Sequence, residues 1–467
     1  AKTVYMGPGE TYKSLNAAFS AMSGGDTLII RDGTYTGTDN QIRYNLDPPS
    51  GSAGSYTNVK AETPGRVKFD GQNARSMFDG YGTFNMSYVV FDGIQWVNSN
   101  NGHDLTGSAH NNRTAHHVKF TRCGFEDNIS LQYASYILLE DCYVWGSGRY
   151  NFIAFTSDHV VFRRCVARLD AANGGGMPIS NFVNYTSQYV EFQNCIAIDS
   201  NDDFYSNFEG VYGGFYIRKS NTIGSKTYSS TDTTLRGCIT LNVKHDRWSS
   251  SPSEALAIGF GAQNLRFENS IFWDMINGMV IDNGLDSNYV FDHCTFGLTA
   301  SGSYDDMLLG AGSYGDVSNS IFYSINGIAL NDVKSSTRNS FYDNGTDKSS
   351  IGSSSGDITN INPLWQESNP NGGLKYLLRI EPEGSLKGAA IDGGDIGATV
   401  IKKIGVSGTL WGETGYNTTT NEDLWPWPYE DVIAVAFRTG VANPPSNRGF
   451  CASDQTLTKY IWEYLGN

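Results

Sequence analysis

The chain has 467 residues, with 33 Lys or Arg against 48 Asp or Glu and a formal net charge of -15. This acidic balance disfavours a general nucleic-acid binder, which needs a basic surface to displace counterions. Aromatic residues make up 13% of the chain, which excludes a disordered polymer. No apolar run reaches the roughly 18 residues of a membrane span. Length alone suggests roughly three domains, but an internal repeat overrides that estimate.

The first predicted element is a short amphipathic helix over residues 14–22, followed by a Gly24-Gly25 stop. Its apolar face consists of Leu15, Ala18, Phe19 and Met22. The next segment, up to Tyr35, predicts a strand and a turn. A helix in this position would cap the open edge of a solenoid.

A repeat then becomes visible in the cysteines. Six of them follow an alternating apolar strand and share one local context, and two serines occupy the same slot. These markers are Cys123, Cys142, Cys165, Cys195, Cys238, Ser270, Cys294 and Ser320. Successive markers are 19 to 43 residues apart, and the extra length falls in one loop. Two earlier turns are predicted at Val67–Gly71 and Val89–Gly93.

Each repeat predicts three short strands. Asn194, Asn269 and Asn319 precede their markers and suit a left-handed bend between two of these strands. The third strands are predicted at residues 153–155, 182–185, 215–218, 257–260 and 280–282. Three strands per turn, stacked on themselves, describe an all-β parallel β-helix of about ten turns.

The C-terminal part departs from the repeat. We predict a solenoid with its N-terminal cap over residues 1–390 and a tail over residues 391–467. The tail contains Leu424–Tyr429, rich in Trp, which we expect to pack on the solenoid, with stacking on sugar rings as the alternative. A last helix would place Leu457, Ile461 and Leu465 on one face, with Asp454 as its candidate cap. The tail also offers a surface that another protein could use for docking.

The seven cysteines suggest a metal site or disulfides. However, in-register residues of stacked parallel strands keep their Cβ atoms about 4.8 Å apart, whereas a disulfide needs about 3.8 Å. No CxxC motif is present. We therefore predict an internal ladder of free thiols.

The N-terminal helix, the segment Gly24–Tyr35 and the repeated strand-Asn-Cys/Ser-strand turns resemble the right-handed parallel β-helix proteins of the pectate-lyase-like superfamily, over about residues 5–390. The resemblance implies a right-handed coil, secretion and a polysaccharide substrate in a long groove. A start at Ala1 rather than Met is likewise expected of a chain whose signal peptide has been removed, so we expect an extracellular or cell-surface protein.

One segment, Asn194–Asp203, is similar to family 9 pectate lyases, in which an Asp pair binds calcium and a lysine about one turn onward is the base. The likeness implies a Ca²⁺ site at Asp202 and Asp203, with Asp199 as a further ligand, and Lys244 as the base. This sequence departs from the family at Gly176–Asn181, where a further calcium Asp is missing, and at Phe204–Ser206, where the usual Gly-Phe-Asp is replaced.

Counting from the markers brings further side chains into register. Seven residues after three markers come Arg149, Asp202 and His245, and eight after come Tyr150, Asp203 and Asp246. Loops on neighbouring turns would hold such side chains roughly 5–10 Å apart. Tyr216, Arg218 and Asp282 are predicted to face outward from third strands. We also predict substrate contacts from Arg247, Trp248 and Glu209.

Three functions remain open. In a lyase, Lys244 or Arg218 would remove a proton beside a uronate carboxylate, while His245 and Arg247 bind the acidic sugar. In a glycoside hydrolase, carboxylates would do the work, and the candidates are Asp202, Asp203, Asp246 and Glu209. In the third interpretation the protein binds glycans without cleaving them. We favour the lyase.

Overall fold

The computed structural model describes residues 1–80, 82–107, 113–170, 180–200, 213–218, 220–243, 263–275, 279–281, 289–299, 306–310, 314–439 and 446–467. Short strands from successive turns pair in parallel and in register, which confirms the predicted all-β parallel β-helix. Connections that return to the same parallel sheet are right-handed in nearly all proteins. The main sheets contain 14, 12, five and four strands in the described part, numbers that bracket the expected ten turns without fixing it.

The first sheet follows the long axis of the solenoid. It consists of Thr3–Met6, Thr27–Ile30, Thr57–Ala61, Ser87–Asp92, His116–Thr121, Ser135–Glu140, Asp158–Arg163, Gln188–Gln193, Thr231–Arg236, Gln263–Glu268, Tyr289–Asp292, Asp316–Ser318, Ser335–Thr337 and Ser353–Ser355.

The second sheet begins beyond the bend of each turn. It consists of Gly33–Tyr35, Val67–Asp70, Ile94–Val97, Gly124–Glu126, Tyr143–Trp145, Val166–Ala167, Ile196–Ile198, Ile239–Leu241, Ile271–Met275, Thr295–Thr299, Ile321–Ile325 and Ser340–Tyr342.

The third side of the solenoid is divided between two sheets. The five-stranded sheet, called the third sheet below, consists of Asp104–Thr106, Ile129–Gln132, Tyr150–Phe155, Ser180–Tyr185 and Gly213–Arg218. The four-stranded sheet consists of Met279–Ile281, Leu308–Gly310, Ile328–Asn331 and Thr346–Ser349. An antiparallel hairpin, Ser220–Ile223 with Lys226–Ser229, follows the last strand of the third sheet. The predicted third strands at 153–155, 182–185 and 215–218 are thereby confirmed, and that at 257–260 lies outside the described residues.

Alternation along the strands builds the interior. Side chains that point inward stack on their counterparts from the next turn, so that like packs on like. The ring centres of Phe152 and Phe182 are 4.9 Å apart and the two rings are nearly parallel. Phe182 stacks in turn on Phe215, with ring centres 4.8 Å apart. Such columns bury large apolar areas, which is the main favourable contribution to folding.

The thiol ladder is confirmed. All seven cysteines are free and buried in the structure. The six marker thiols each donate a weak hydrogen bond, 3.2 to 3.5 Å long, to a carbonyl oxygen of the preceding turn. Burial raises the pKa of the Cys142 and Cys195 thiols, which keeps them protonated and unreactive.

Left-handed backbone marks the corners of each turn. Asn194, Asn269 and Asn319 have φ of 51°, 49° and 51°, as predicted for the residue before the marker. A second left-handed corner lies four residues after the marker, where Asp127 has φ of 76° and Asp199 has φ of 53°. Asn and Asp tolerate this conformation better than other residues with a Cβ atom.

The N-terminal cap matches its prediction. The helix spans Leu15–Ser20, and the Ser14 side chain accepts a hydrogen bond from the backbone N–H of Ala17. Leu15, Ala18 and Phe19 are buried. Thr38–Asn40 add a short 3₁₀ turn.

The described residues of the tail include two α-helices, of which only the second was expected. Glu430–Arg438 forms the first, and it buries Ile433, Ala434 and Phe437. The second spans Leu457–Trp462 and begins after Thr456, whose side chain accepts from the Lys459 N–H. The candidate cap Asp454 was therefore wrong by two residues. Gly449–Cys451 form a 3₁₀ turn. None of the described helices is long and apolar enough to cross a membrane.

The tail covers two outer faces of the solenoid. Its helices and the residues before them pack on the outer side chains of the second sheet, including Tyr143, Trp145 and Trp273. The Trp-rich segment belongs to this contact, because Trp427 is buried and Trp425 donates to the Val400 carbonyl oxygen. Residues 402–416, here called the strap, cross the outside of the first sheet, where Leu410 packs on Leu138 and Val161.

Candidate functional site

The outer face of the third sheet carries the candidate functional site. Its buried side chains form a cluster of their own: Tyr150, Ile153, Val183 and Tyr216, with Phe155 and Tyr185 packed against them. Within the described part of the chain this cluster contains no tail residue. A long solenoid face lined by aromatic rings is suited to an extended ligand.

Strand register places the outward residues in two columns. One column runs from Asp104 through Ser130, Ile153 and Val183 to Tyr216. The other runs from Thr106 through Gln132, Phe155 and Tyr185 to Arg218. Polar residues therefore occupy the end of the sheet nearer the N-terminal cap, and aromatic residues with arginines occupy the other end.

The arginines lie over tyrosine rings. The guanidinium carbon of Arg218 is 5.0 Å from the ring centre of Tyr185, and its Nη1 donates to the Tyr216 hydroxyl at 3.5 Å. The guanidinium carbon of Arg149 is 5.1 Å from the ring centre of Tyr150. The rings of Tyr150 and Tyr216 are 6.5 Å apart and inclined by 20°. Cation–π contacts of this kind hold each guanidinium against a tyrosine ring.

A polar pocket of about 320 Å³ opens beside Arg149 and Tyr150. Its lining is formed by Ser99, Asn100, Asn101, Gly102, Asp127, Asn128, Ser147, Gly148, Arg149, Tyr150 and Ile153. We call this cavity the Asp127 pocket. The hydroxyl of Tyr150 is buried and has no hydrogen-bond partner among the described residues. Burial raises the pKa of this hydroxyl, so it stays protonated and able to donate.

Asp127 is the acidic side chain of the pocket. Its Oδ1 accepts from the backbone N–H of Ser147 at 2.9 Å and lies 3.3 Å from the Ser147 hydroxyl. Gly146 makes this position possible, because a Cβ there would come within 2.8 Å of Oδ1. Burial, reinforced by the nearby Glu126 carboxylate, raises the pKa of Asp127 to about 7.

Asp104, at the end of the first column nearer the N-terminal cap, is a second acidic group. Burial raises the pKa of Asp104 to about 6, and the nearby Asp79 acts in the same direction. Gln132 donates to Asp104 Oδ1 at 3.3 Å. The face thus carries two carboxyl groups that can exchange protons near neutral pH.

Four of the residues predicted from the sequence come together on this face: Arg149, Tyr150, Tyr216 and Arg218. Tyr216 points outward as expected, but it is buried among its neighbours rather than open to solvent. The remaining predicted catalytic or substrate-binding residues lie outside the described residues, so their roles stay predictions. They are Asp202, Asp203, Glu209, Lys244, His245, Asp246, Arg247, Trp248 and Asp282.

Asp199, predicted as a calcium ligand, lies under the tail. Its Oδ1 accepts from the Tyr460 hydroxyl at 2.8 Å and from Asn242, and its Oδ2 accepts from the Phe450 N–H at 3.0 Å. Both oxygens are thus committed to hydrogen bonds, which does not fit a metal ligand. No group of three or more potential metal ligands occurs within the described ranges. The calcium prediction therefore depends on Asp202 and Asp203.

The same region anchors the tail through buried charges. Arg448 pairs with Asp170 at 2.8 Å and donates to the carbonyl oxygens of Leu169 and Asp199. Arg168 pairs with Asp170 at 2.9 Å and donates to the Phe437 carbonyl oxygen. The tail therefore fixes the chain at Asp199, three residues before the sequence candidate Asp202.

Three functional candidates were not predicted from the sequence: Asp104, Asp127 and Tyr185. Asp127 lies four residues after the marker Cys123, in the second left-handed corner, and the recurrence of Asp at this offset in Asp199 and Asp274 was an available signal. Tyr185 lies inside a predicted third strand, and its outward direction followed from the alternation that placed Tyr216.

Comparison with known proteins gives structural likenesses alone. No protein-family model matches the chain, and no curated protein sequence matches it significantly. Pectate lyase Pel9A is 14% identical, with a TM-score of 0.45, over 85% of this chain and 96% of that chain. The alginate lyase AlyF-OU02 is 10% identical, with a TM-score of 0.44, over 85% and 94%. The A-module of the Azotobacter vinelandii mannuronan C-5 epimerase AlgE6 is 11% identical, with a TM-score of 0.40, over 74% and 93%. Likeness this distant leaves the reaction to be argued from the residues of this chain.

Proposed function

We propose that this protein is a secreted enzyme that cleaves an acidic polysaccharide by β-elimination on the outer face of the third sheet. The observation that carries the proposal is the cluster of Arg149, Tyr150, Tyr216 and Arg218 beside the Asp127 pocket. The overall charge of the chain opposes an anionic substrate, so the attraction has to come from local cations such as these.

Each part of the cluster has a use for a uronate-containing glycan. A guanidinium presents paired donors that match a carboxylate, and two of them on one face can bind two acidic sugars of the same chain. Tyrosine rings give a flat apolar surface for the sugar, and their hydroxyls give hydrogen bonds. Burial raises the pKa of the Tyr216 hydroxyl, so it remains a donor across the physiological range.

In β-elimination a base removes the proton from the carbon beside the carboxylate. The electron pair of that C–H bond forms a C=C bond, and the bond from the neighbouring carbon to the glycosidic oxygen breaks. Charge that builds up on the carboxylate is stabilised by a cation beside it, which is the role we assign to Arg149 or Arg218. Lys244 is proposed as the base, with Arg218 as the alternative. No step here passes through calcium.

The first experiment offers the purified protein a panel of acidic and neutral polysaccharides. An increase in ultraviolet absorbance from unsaturated sugars, together with new reducing ends, is the expected result for acidic members of the panel. New reducing ends without that absorbance would overturn the lyase and leave a hydrolase. No product from any member would overturn both and leave a glycan-binding protein. The same assay with EDTA tests the calcium site expected from the sequence: activity that is lost and then restored by Ca²⁺ would support it, and unchanged activity would contradict it.

Site variants then locate the reaction. Arg218→Gln should lower kcat/KM on the acidic glycan at least tenfold, because a charge-assisted contact contributes roughly 1.5–3 kcal/mol. Arg266→Gln is the matched control, since Arg266 is an exposed arginine of the first sheet paired with Glu268. Equal activity of the two variants would move the substrate away from the third sheet.

A hydrolase is the second candidate, favoured by the raised pKa values of Asp104 and Asp127. A glycosidase needs one carboxyl group that is protonated at working pH and one that is ionised. Asp104→Asn distinguishes the two reactions: a large loss of activity is expected of a hydrolase that uses this carboxyl, and a small loss is expected of the lyase.

A further inference from the structure

The Asp127 pocket has the dimensions of a subsite for one sugar unit. Ligand pockets range from about 300 to 1,000 Å³, and the cavity here measures about 320 Å³, at the low end of that range. Its lining is mostly polar and includes Asn100, Asn101 and Asn128 as well as Arg149 and Tyr150. Amides and hydroxyls bind sugar hydroxyls, and a guanidinium binds a sugar carboxylate.

Two features besides its shape indicate that the pocket binds a ligand. The Tyr150 hydroxyl is buried, lies in the lining and lacks a hydrogen-bond partner among the described residues. An unpartnered buried hydroxyl costs free energy, and a ligand oxygen would remove that cost. In addition, Asp127 is held by one oxygen: Oδ1 contacts Ser147, which leaves Oδ2 without a hydrogen bond to described residues.

We propose that the Asp127 pocket binds the sugar unit on the leaving side of the scissile bond and that Asp127 donates the proton to the departing glycosidic oxygen. This inference rests on the proposed function and assigns a catalytic residue to it. Arg149 and Tyr150 bind and orient the sugar in the same pocket, Arg149 through a carboxylate and Tyr150 through an oxygen that accepts its hydrogen bond.

The step balances in atoms and charge. As the bond between the carbon and the glycosidic oxygen breaks, its electron pair stays on the oxygen. That oxygen takes the proton of the Asp127 carboxyl and becomes the hydroxyl of the new chain end, and Asp127 is left as a carboxylate. The base holds the proton removed from the sugar, and exchange with water returns both groups to their starting state.

The surroundings of Asp127 suit this role. Burial is the main cause of its raised pKa, and the facing carboxylates of Glu126 and Asp170 add to it. The Ser147 hydrogen bonds act in the opposite direction because they stabilise the charged form. Asp170 is itself paired with Arg168 and Arg448, and Arg149 is the cation in the pocket lining. A carboxyl group balanced in this way remains partly protonated at neutral pH, as a proton donor must.

The test is Asp127→Asn, assayed on the acidic polysaccharide that the wild type cleaves. General acid catalysis contributes about 10²–10⁴-fold, so kcat should fall at least about a hundredfold with KM little changed. The alkaline limb of the wild-type pH profile, which reports loss of the acid's proton, should disappear in the variant. Asp343→Asn, an exposed aspartate at the far end of the solenoid, is the matched control and should behave as the wild type.

A second variant keeps the proposal testable if Asp127→Asn does not fold. Ser147→Ala removes the hydroxyl near Asp127 and keeps the backbone N–H. The pKa of Asp127 should then rise, and the alkaline limb should move to higher pH. An unmoved limb in Ser147→Ala, or full activity of a folded Asp127→Asn protein, would overturn the assignment. These results differ from failure of the proposed function, in which the wild type itself would release no product.

Discussion

The strap across the first sheet depends on one buried guanidinium, and Arg163→Met tests this. The Arg163 side chain is fully buried and pairs with Glu140 at 2.8 Å. It also donates to Gln193 Oε1, to Thr409 Oγ1 and to the carbonyl oxygens of Val406 and Tyr416, at 2.8 to 3.2 Å. Three of these acceptors belong to the strap. A methionine fills much of the volume but replaces none of the five hydrogen bonds.

The expected loss in the free energy of unfolding follows from the contacts that Glu140 keeps in Arg163→Met. Glu140 would keep the Gly408 N–H at 3.0 Å and Arg164 at 3.5 Å, but it would lose its closest cation inside the protein. Removing one partner of a buried ion pair costs about 3–5 kcal/mol. Arg266→Met provides the comparison, because its pair with Glu268 is solvent-exposed and such pairs are worth at most about 1 kcal/mol.

Urea unfolding gives the global free energy of unfolding, and amide hydrogen exchange of the strap, residues 402–416, gives the local free energy of opening. In Arg163→Met the strap should exchange faster than the strands beneath it, because the strap loses three acceptor contacts. Adding Glu140→Leu should recover part of the lost free energy by removing the unpaired charge. Stability of Arg163→Met within about 1 kcal/mol of the wild type, with unchanged strap exchange, would refute this reasoning.

Three further predictions concern the interior and the tail. A thiol reagent should modify none of the seven cysteines in the native protein and all of them after unfolding; fast native reaction would contradict the buried ladder. Tyr460→Phe, which removes the 2.8 Å hydrogen bond to Asp199, should lower the free energy of unfolding by about 1 kcal/mol, measured in urea against Tyr314→Phe, an exposed control. Finally, burial alone would lower the pKa of His293, but Asp292 and Asp392 outweigh it and raise the pKa. The stabilisation is therefore complete below the ordinary histidine pKa of about 6.5 and is lost as the pH rises through the higher folded value. The difference between the thermal midpoints at about pH 6 and about pH 9 should be smaller in His293→Gln than in the wild type. An equal difference in the two proteins would exclude the contacts of His293 with Asp292 and Asp392 as the cause of the pH dependence.

Much of the architecture could be predicted from the sequence because local residue patterns determine it. The marker cysteines, the apolar residue three positions earlier and the Asn before the marker repeat with each turn, and alternation along a strand assigns each side chain to the inside or the outside. The thiol ladder, the third strands and the outward direction of Tyr216 follow from these patterns alone. The first tail helix could not be predicted in this way, because it is not part of the repeat and its apolar face gains stability by packing on the solenoid.

The location of the candidate site depended on contacts between distant parts of the chain. Alternation shows that Leu138, Tyr143 and Tyr216 all point outward, but it does not show which of these faces the tail will cover. The strap and the helices bury the first two, whereas the cluster that contains Tyr216 includes no tail residue among those described. Asp199 and Asp127 occupy the same corner of different turns, yet one is buried under Phe450 and Tyr460 and the other lines a pocket. The corner residue type follows from backbone conformation, whereas its chemistry follows from what the tail places against it.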